Sequence, residues 1–365
     1  MLQTNQNILV ISTMYPTKQH TSFGIFVKNQ VEQLRNQGFF VDVLAIKEPK
    51  MGKTKVIKKY SKWLMKAILV CLKKRNKYSV IHAHYVFPSG WIGLWFKRWF
   101  KAKLIVTAHG GDIDKMAHLH PWIFKQTKRI LQQADEVIVV GEGLKQSILN
   151  QFDIPKRNIH VMNMGVNRSI FRPMPQQEAK TTLQLDREQK IILYVGNLIE
   201  AKGMIELVQA YDQLKTSDPN LALHLIGAKK DPSFYKKLTH RIDQQKIKHV
   251  TFHSAMSQKE IATWMAAADV FVLPSHMEGF GLAALEAMAC HTPVVGTSVG
   301  GLRVLLDGGA GLAVSPKQKD QLAQGLKQAL YNQSLRQKMI YHGDKKAQQN
   351  NQERLIQSLI TIYRR

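Results

Sequence analysis

The chain has 365 residues, 44% hydrophobic and 21% charged, a balance that excludes a disordered or fibrous protein and gives length enough for two domains with sizeable cores. Its two cysteines, Cys71 and Cys290, lie far apart and outside any CxxC pattern, which excludes a disulfide framework and a zinc ribbon and points to a reducing compartment. With 52 Lys and Arg against 26 Asp and Glu the net charge is +26, a bias toward polyanions, either nucleic acid or an anionic membrane. Residues 1–150 hold 24 basic and 8 acidic side chains, so most of the excess belongs to the first half. The opening MLQTNQNILVIS lacks the basic region and cleavage site of a signal peptide, and no apolar run reaches the roughly 18 residues of a membrane span. The expectation is a cytoplasmic protein.

Ile8 to Ser12 reads as a strand and Tyr15 to Phe23 as the loop after it. Gly24 opens a helix whose Phe26, Val27, Gln30, Val31 and Leu34 recur at helical spacing, Gly38 ends it, and Phe40 to Ile46 forms a second strand. Residues 50–77 contain Lys50, Lys53, Lys55, Lys58, Lys59, Lys62, Lys66, Lys73, Lys74, Arg75 and Lys77 without an acid, interleaved with Val56, Ile57, Trp63, Leu64, Ile68, Leu69 and Leu72. That pattern is a basic amphipathic helix, either a solvated face or an interfacial one, and Trp with long aliphatics favours the interface. Further on, Trp91, Trp95, Phe96, Trp99 and Phe100 surround Lys97, Arg98, Lys101 and Lys103. Such rings suit a membrane interface or stacking on single-stranded bases, and no nucleic-acid module accompanies them. Lys58, Lys59, Lys62, Trp63, Lys66, Trp95 and Trp99 are therefore the expected docking set, placing the protein peripherally on an anionic membrane with no nucleic-acid partner.

Leu104 to Thr107, the next apolar strand, delivers His109, Gly110, Gly111 and Asp112 at its end. Asp112-Ile113-Asp114 spells a weak DxD metal triplet, and His82 with His84, or His118 with His120, would hold a metal only if a carboxylate joined them. No metal or cofactor is expected. A helix at Trp122 to Gln133, a strand at Glu136 to Val140 and a helix at Glu142 to Asn150 complete the first half. A linker follows through Pro173 and Pro175, polar to residue 190.

The second half starts over with a strand at Ile191 to Val195, a loop from Gly196 to Gly203 and a helix through Leu214, an anion site within reach of Lys202. Further strands are expected at Leu221 to Ile226, Val250 to His253, Val294 to Thr297 and Leu312 to Val314. Asp269 to Cys290 organises this half: a buried strand Val270 to Leu273 stopped by Pro274, then Glu278, Gly279, Phe280 and Gly281, then a helix Leu282 to Ala289 almost free of charge. A carboxylate on a buried helix needs a donor, so Glu286 meets either a pair of ligand hydroxyls or an Arg or Lys of its own domain.

Two glutamates eight apart around GFG, after a strand ending in LPS, resemble the E-x7-E signature of glycosyltransferase family four, retaining enzymes of GT-B fold. HGGD resembles the family's HGxD, GVNRSIF its hinge segment, and NLIEAKG its G-R-L-x-x-x-K-G loop with Asn197 in place of the Arg; Arg303 and Val304 replace the Pro and Glu that follow the family's Gly-Gly. The resemblance implies an α/β protein of two Rossmann-like domains facing each other across a cleft, an acceptor domain over residues 1–168 with 350–365 packing back on it, and a donor domain over 169–349. The last helical runs, Gln318 to Tyr331 and Asn351 to Ile362, resemble terminal helices that cross back to the first domain. It implies catalytic roles for His109, Lys202 and Glu278, and donor contacts from Gly24, Asn197, Lys202, Glu278, Gly279, Phe280, Gly281, Leu282 and Glu286, with Glu286 on the ribose and Gly227 and residues 253–256 around the base. The implied activity moves a sugar from a nucleoside diphosphate sugar, UDP favoured over GDP, to a carbohydrate or lipid-linked hydroxyl in cell-envelope polysaccharide or glycolipid synthesis. A basic nucleic-acid-binding protein and a GT-B sugar-nucleotide epimerase are the alternatives.

Overall fold

The computed structural model describes residues 7–21, 23–49, 53–73, 77–155 and 158–365, so Lys50, Lys74 and Arg75 of the basic run lie outside the described residues. The chain forms two compact units, residues 1–164 with 352–365, and residues 165–351. In the first, β1 (Asn7–Ser12), α1 (Ile25–Asn36), β2 (Phe40–Ala45), α2 (Lys53–Lys73), β3 (Val80–His84), α3 (Ser89–Phe100), β4 (Lys103–Ala108), α4 (Pro121–Gln133), β5 (Glu136–Val139), α5 (Glu142–Phe152) and β6 (Ile159–Val161) alternate along the chain. The sheet is parallel in the order β2-β1-β3-β4-β5-β6. Apolar runs such as ILVI and LIVTA are buried on both faces because helices cover each side of a parallel sheet. Strand order reverses between β1 and β3, and the register pairs Ser12 with His84 and His84 with Thr107, which aligns the carboxyl ends of β1, β3 and β4 at the reversal.

The second unit takes up the chain at Gly165, with Val166 and Phe171 buried in its core. The polar stretch read as linker contains α6 (Gln176–Thr182), anchored because the buried Lys180 donates to the Arg187 and Gln189 carbonyls at 3.0 and 2.7 Å. Then come β7 (Lys190–Val195), α7 (Met204–Lys215), β8 (Leu221–Ile226), α8 (Pro232–Gln244), β9 (Val250–His253), α9 (Gln258–Ala267), β10 (Val270–Leu273), α10 (Leu282–Ala289), β11 (Val294–Thr297), α11 (Gly300–Leu306), β12 (Leu312–Val314), α12 (Lys319–Tyr331) and α13 (Gln333–Gln349). This sheet is also parallel, in the order β12-β11-β10-β7-β8-β9, and reverses between β7 and β10. The Lys202 loop leaves β7 and the Glu278 loop leaves β10, so topology alone brings them together.

The final helix, α14 (Gln352–Arg364), returns to the first unit, where Ile356, Leu359, Ile360 and Tyr363 are buried with Val27, Val31, Ile105 and Ile138. Of the two runs expected to cross back, only this one does. The other, α12, stays in the second unit because Leu322, Ala323, Leu326 and Ala329 pack into that unit's core. Between them α13 was not foreseen: its sequence is polar, and its buried side is the narrow seam Met339, Gly343, Ala347, where Gly343 fits close to Met288 of α10.

One expectation for α2 is overturned. Trp63 is not at an interface. Its ring is buried against the sheet and its Nε1–H donates to the Leu44 carbonyl at 3.3 Å, because Trp63, Ala67 and the half-buried Tyr60 and Leu64 form the side of α2 that covers the core. Phe96 and Phe100 likewise face inward on α3, whereas Trp95 and Trp99 are exposed.

Candidate functional site

In the second unit the loops after β7 and β10 are locked together. Gly203 caps α7 with φ 68°, and a side chain there would run into the Pro274 carbonyl, so only glycine lets the Lys202 turn lie against the β10 exit. The His276 N–H donates to the Ala201 carbonyl at 3.0 Å across the same junction. The result is an ion pair, Lys202 Nζ to Glu278 Oε2 at 2.6 Å, with Ser275 Oγ donating to the same oxygen at 3.2 Å. Gly281 then takes φ 89° and starts α10, leaving the first N–H groups of that helix, from Leu282 on, without carbonyl partners of their own helix. Gly300 and Gly301 back this loop: side chains there would overlap the carbonyls of Glu278 and Gly279, and the Gly301 N–H donates to Gly279 at 3.2 Å. Gly279 is exposed, while Phe280 and Leu282 pack partly against the core.

Eight residues along, Glu286 is half-buried, and burial raises its carboxyl to about 8, partly offset by a hydrogen bond from Gln258. Among the described residues no Arg or Lys pairs with it, so the intradomain ion pair considered from sequence does not form. Asn197 sits where the loop after β7 turns, its carbonyl accepting from the buried Tyr194 hydroxyl at 2.9 Å. Sequence reading missed Lys230. The loop after β8 is pinned to the loop after β7, since the Leu198 N–H donates to Ala228 at 3.0 Å and a side chain on Gly227 would overlap the Gly196 carbonyl. This brings Lys230 near Lys202, and burial followed by the Lys202 charge lowers the Lys230 pKa. His253 stacks on His224, Nε2 to Nδ1 3.0 Å, and both rings contact Trp264.

In the first unit Gly24 takes φ 73° at the entrance of α1, pressed against the Met14 carbonyl where a side chain would not fit. Ser12 holds that loop by donating to Met14 O at 2.8 Å. His109, at the end of β4, is packed among Phe26, Tyr85 and His84, with ring centroids at 4.9, 4.7 and 5.4 Å. His84 Nδ1 lies 3.2 Å from His109 Nε2; His84 in turn stacks on His82 at 4.4 Å, and His82 bonds Thr107 Oγ1 at 2.7 Å and the Tyr363 hydroxyl of α14 at 2.6 Å. Burial pushes His109 and His82 down to about 3, so this stack is neutral at pH 7. The signal for it was present, since HAHY and HGG end two strands that pair in register.

Asp112 is held by backbone N–H groups. Its carboxylate accepts the backbone N–H groups of His109 and Val86 at 2.9 and 2.8 Å, tying the HGG turn to the end of β3, and burial raises it to about 6 against those bonds. Asp114 instead accepts from Ser147, His118 bonds Gln151, and His120 caps α4. Among the described residues no three His, Cys, Asp or Glu side chains gather as metal ligands.

Known proteins share this arrangement. Residues 24–169 match the family described as Glycosyltransferase Family 4, and residues 175–346 match Glycosyl transferases group 1. The chain belongs to glycosyltransferase family four. A teichuronic acid biosynthesis glycosyltransferase of Bacillus subtilis, TuaC, is 26% identical to this enzyme over 359 residues, 87% of this chain and 88% of the relative. A D-inositol 3-phosphate glycosyltransferase of Corynebacterium aurimucosum is 30% identical over 270 residues, covering 69% of this chain and 63% of the relative. Sucrose-phosphate synthase from Thermosynechococcus elongatus superposes with a TM-score of 0.83 at 25% identity, covering 98% of both chains. Anabaena Alr3699/HepE, solved in complex with UDP-glucose, superposes at 0.78 with 17% identity, covering 97% of this chain and 98% of its own. The glycosyltransferase has the two-domain Rossmann-like GT-B fold. No helix among its described residues is long and apolar enough to cross a membrane.

Proposed function

We propose that this enzyme transfers a sugar from a nucleoside diphosphate sugar, UDP-linked in preference to GDP-linked, to a hydroxyl of a carbohydrate or lipid-linked acceptor in cell-envelope polysaccharide or glycolipid synthesis, with retention at the anomeric carbon, on the anionic inner face of the membrane. The observation that carries the donor half is the meeting of Lys202, Glu278 and the start of α10 at the reversal between β7 and β10. When the bond from the anomeric carbon to the diphosphate breaks, negative charge develops on the leaving oxygens. Lys202, Lys230 and the free N–H groups at Leu282 stabilise it. Lys230 supplies a cation beside the loop where Asn197 stands in place of the family's Arg. Glu278 takes the sugar hydroxyls and Glu286 the ribose diol, a carboxylate whose protein donor is the neutral Gln258. His109 acts as a neutral imidazole in the transfer step, where the acceptor oxygen bonds the anomeric carbon as the diphosphate leaves and passes its proton to a leaving diphosphate oxygen.

A donor screen tests this reading. One class of sugar nucleotide should raise the melting temperature and be hydrolysed slowly without acceptor, and the released sugar should keep the donor's anomeric configuration. Stabilisation by oligonucleotides alone, lost in salt, would refute it in favour of nucleic-acid binding. An isomerised sugar nucleotide formed without acceptor would instead identify an epimerase.

A further inference from the structure

The helix α2 has three sides, not two. At about 100° per residue, Trp63 and Ala67 define the side against the sheet. On a second side Ile57, Met65, Ile68, Leu69 and Leu72 are uncovered, Ile57 and Leu72 being 67% and 66% exposed. The third, between those two, carries Lys58, Lys62 and Lys66 at successive turns, with Lys59 beside them. These four lysines, with Lys47, Glu48, Trp63 and the end of β2, line a hollow of about 580 Å³ between α2 and β2. That volume suits a headgroup rather than a single ion. Among the described residues no carboxylate pairs with Lys58, Lys62 or Lys66, and no acidic residue occurs between Glu48 and Asp112. Trp99 extends the uncovered apolar side, its exposed ring tethered by an Nε1–H bond to the Cys71 carbonyl near the end of α2 at 3.1 Å.

We propose that the hollow between α2 and β2 holds the phosphate of an anionic membrane lipid, while the neighbouring apolar side of α2 lies among the acyl chains. This rests on the membrane part of the proposed function and narrows it to one face and one ligand chemistry. The order of the sides carries the argument. The basic side borders the uncovered apolar side, so a helix lying in the interface with its aliphatics in the acyl layer has its lysines at the depth of the phosphates. Nucleic acid would not explain the aliphatic side, because bases are bound by stacking rings and not by Ile, Leu and Met. A second copy of the chain fits no better, since each carries +26 and would meet its own charge.

Sedimentation with vesicles tests it, using phosphatidylcholine alone or with phosphatidylglycerol added, and the full chain. Three proteins are compared: wild type, Lys58→Gln/Lys62→Gln/Lys66→Gln and Ile68→Ser/Leu72→Ser, each checked for an unchanged melting temperature. Wild type should favour the anionic vesicles by about tenfold or more. The lysine variant should lose that preference yet keep a weak, salt-resistant association, and the apolar variant should keep the preference in low salt and lose all binding in high salt. Equal partition of wild type to the two vesicles, an unaffected lysine variant, or release of wild type from vesicles by an oligonucleotide would overturn the site. Donor hydrolysis by the same variants should stay at the wild-type level. Vesicle binding needs no sugar nucleotide, so failure of the glycosyl-transfer reading would show in hydrolysis and leave this result standing.

Discussion

Glu286 gives the sharpest test of the donor site. Its carboxyl is raised to about 8 by burial on α10, an effect that a hydrogen bond from Gln258 partly offsets. At pH 7 it is therefore about nine-tenths protonated, and if it must accept both ribose hydroxyls it has to ionise, at a cost of about 1.4 kcal/mol per unit of pH below its pKa. Donor binding should release close to one proton at pH 7 and strengthen about fivefold between pH 7 and 8 and about twofold more by pH 9, then level off. Calorimetry in buffers of different ionisation enthalpy reads the proton directly. In Glu286→Gln the release should vanish, and affinity, weaker by roughly 1.5–3 kcal/mol at pH 8.5, should lose its pH slope. The sign for stability is opposite to that of an ordinary paired carboxylate. A folded pKa above the unfolded value means that stability falls as pH rises from about 5 to 8, so Glu286→Gln should stabilise the ligand-free enzyme at alkaline pH by roughly 2–4 kcal/mol. Binding enthalpies independent of buffer, or an unchanged slope in the variant, would refute the ribose assignment.

Other outcomes follow from named contacts. His109→Ala should abolish most transfer and leave donor affinity nearly unchanged, measured by radiolabelled transfer beside calorimetry; unchanged transfer removes it from the reaction. Lys230→Ala should weaken UDP binding more than uridine binding, because only the former carries the diphosphate, and equal losses would place Lys230 elsewhere. Gly203→Ala should cost stability and donor binding together, since φ 68° and the Pro274 carbonyl both oppose a side chain. Tyr363→Phe leaves His82 Nδ1 without its partner in a dry core and should lower the unfolding free energy by about 1–3 kcal/mol, read by urea denaturation, with donor affinity unchanged.

What was legible in the sequence was whatever local pattern decides. The strands β7, β8 and β10 are apolar runs stopped by Gly196, Gly227 and Pro274, so these and the Glu278 loop could be read without a partner. The faces of α2 could not, because helical spacing shows which residues share a side and not which apolar side the sheet covers; Trp63 fell on the covered one. Lys180 within the polar stretch and the seam of α13 were hidden for the opposite reason, being a charge and small residues in buried places. The partnership of Lys230 with Lys202 depends on the packing of Gly227 against Gly196, a contact between loops that no spacing encodes.

The return of α14 to the first unit has a consequence for synthesis. The ribosome completes β1 to β6 long before it reaches Gln352, and the 187 residues of the second unit come between. At about 5–20 residues per second the nascent first sheet waits roughly 10–40 s with Ile105, Ile138 and their neighbours lacking the helix that covers them. The second unit, contiguous in sequence, has no such delay and can finish first. The interval is a window for holdase chaperones, and a slow codon run after residue 165 would lengthen it and raise the yield of aggregate without altering one atom of the finished enzyme.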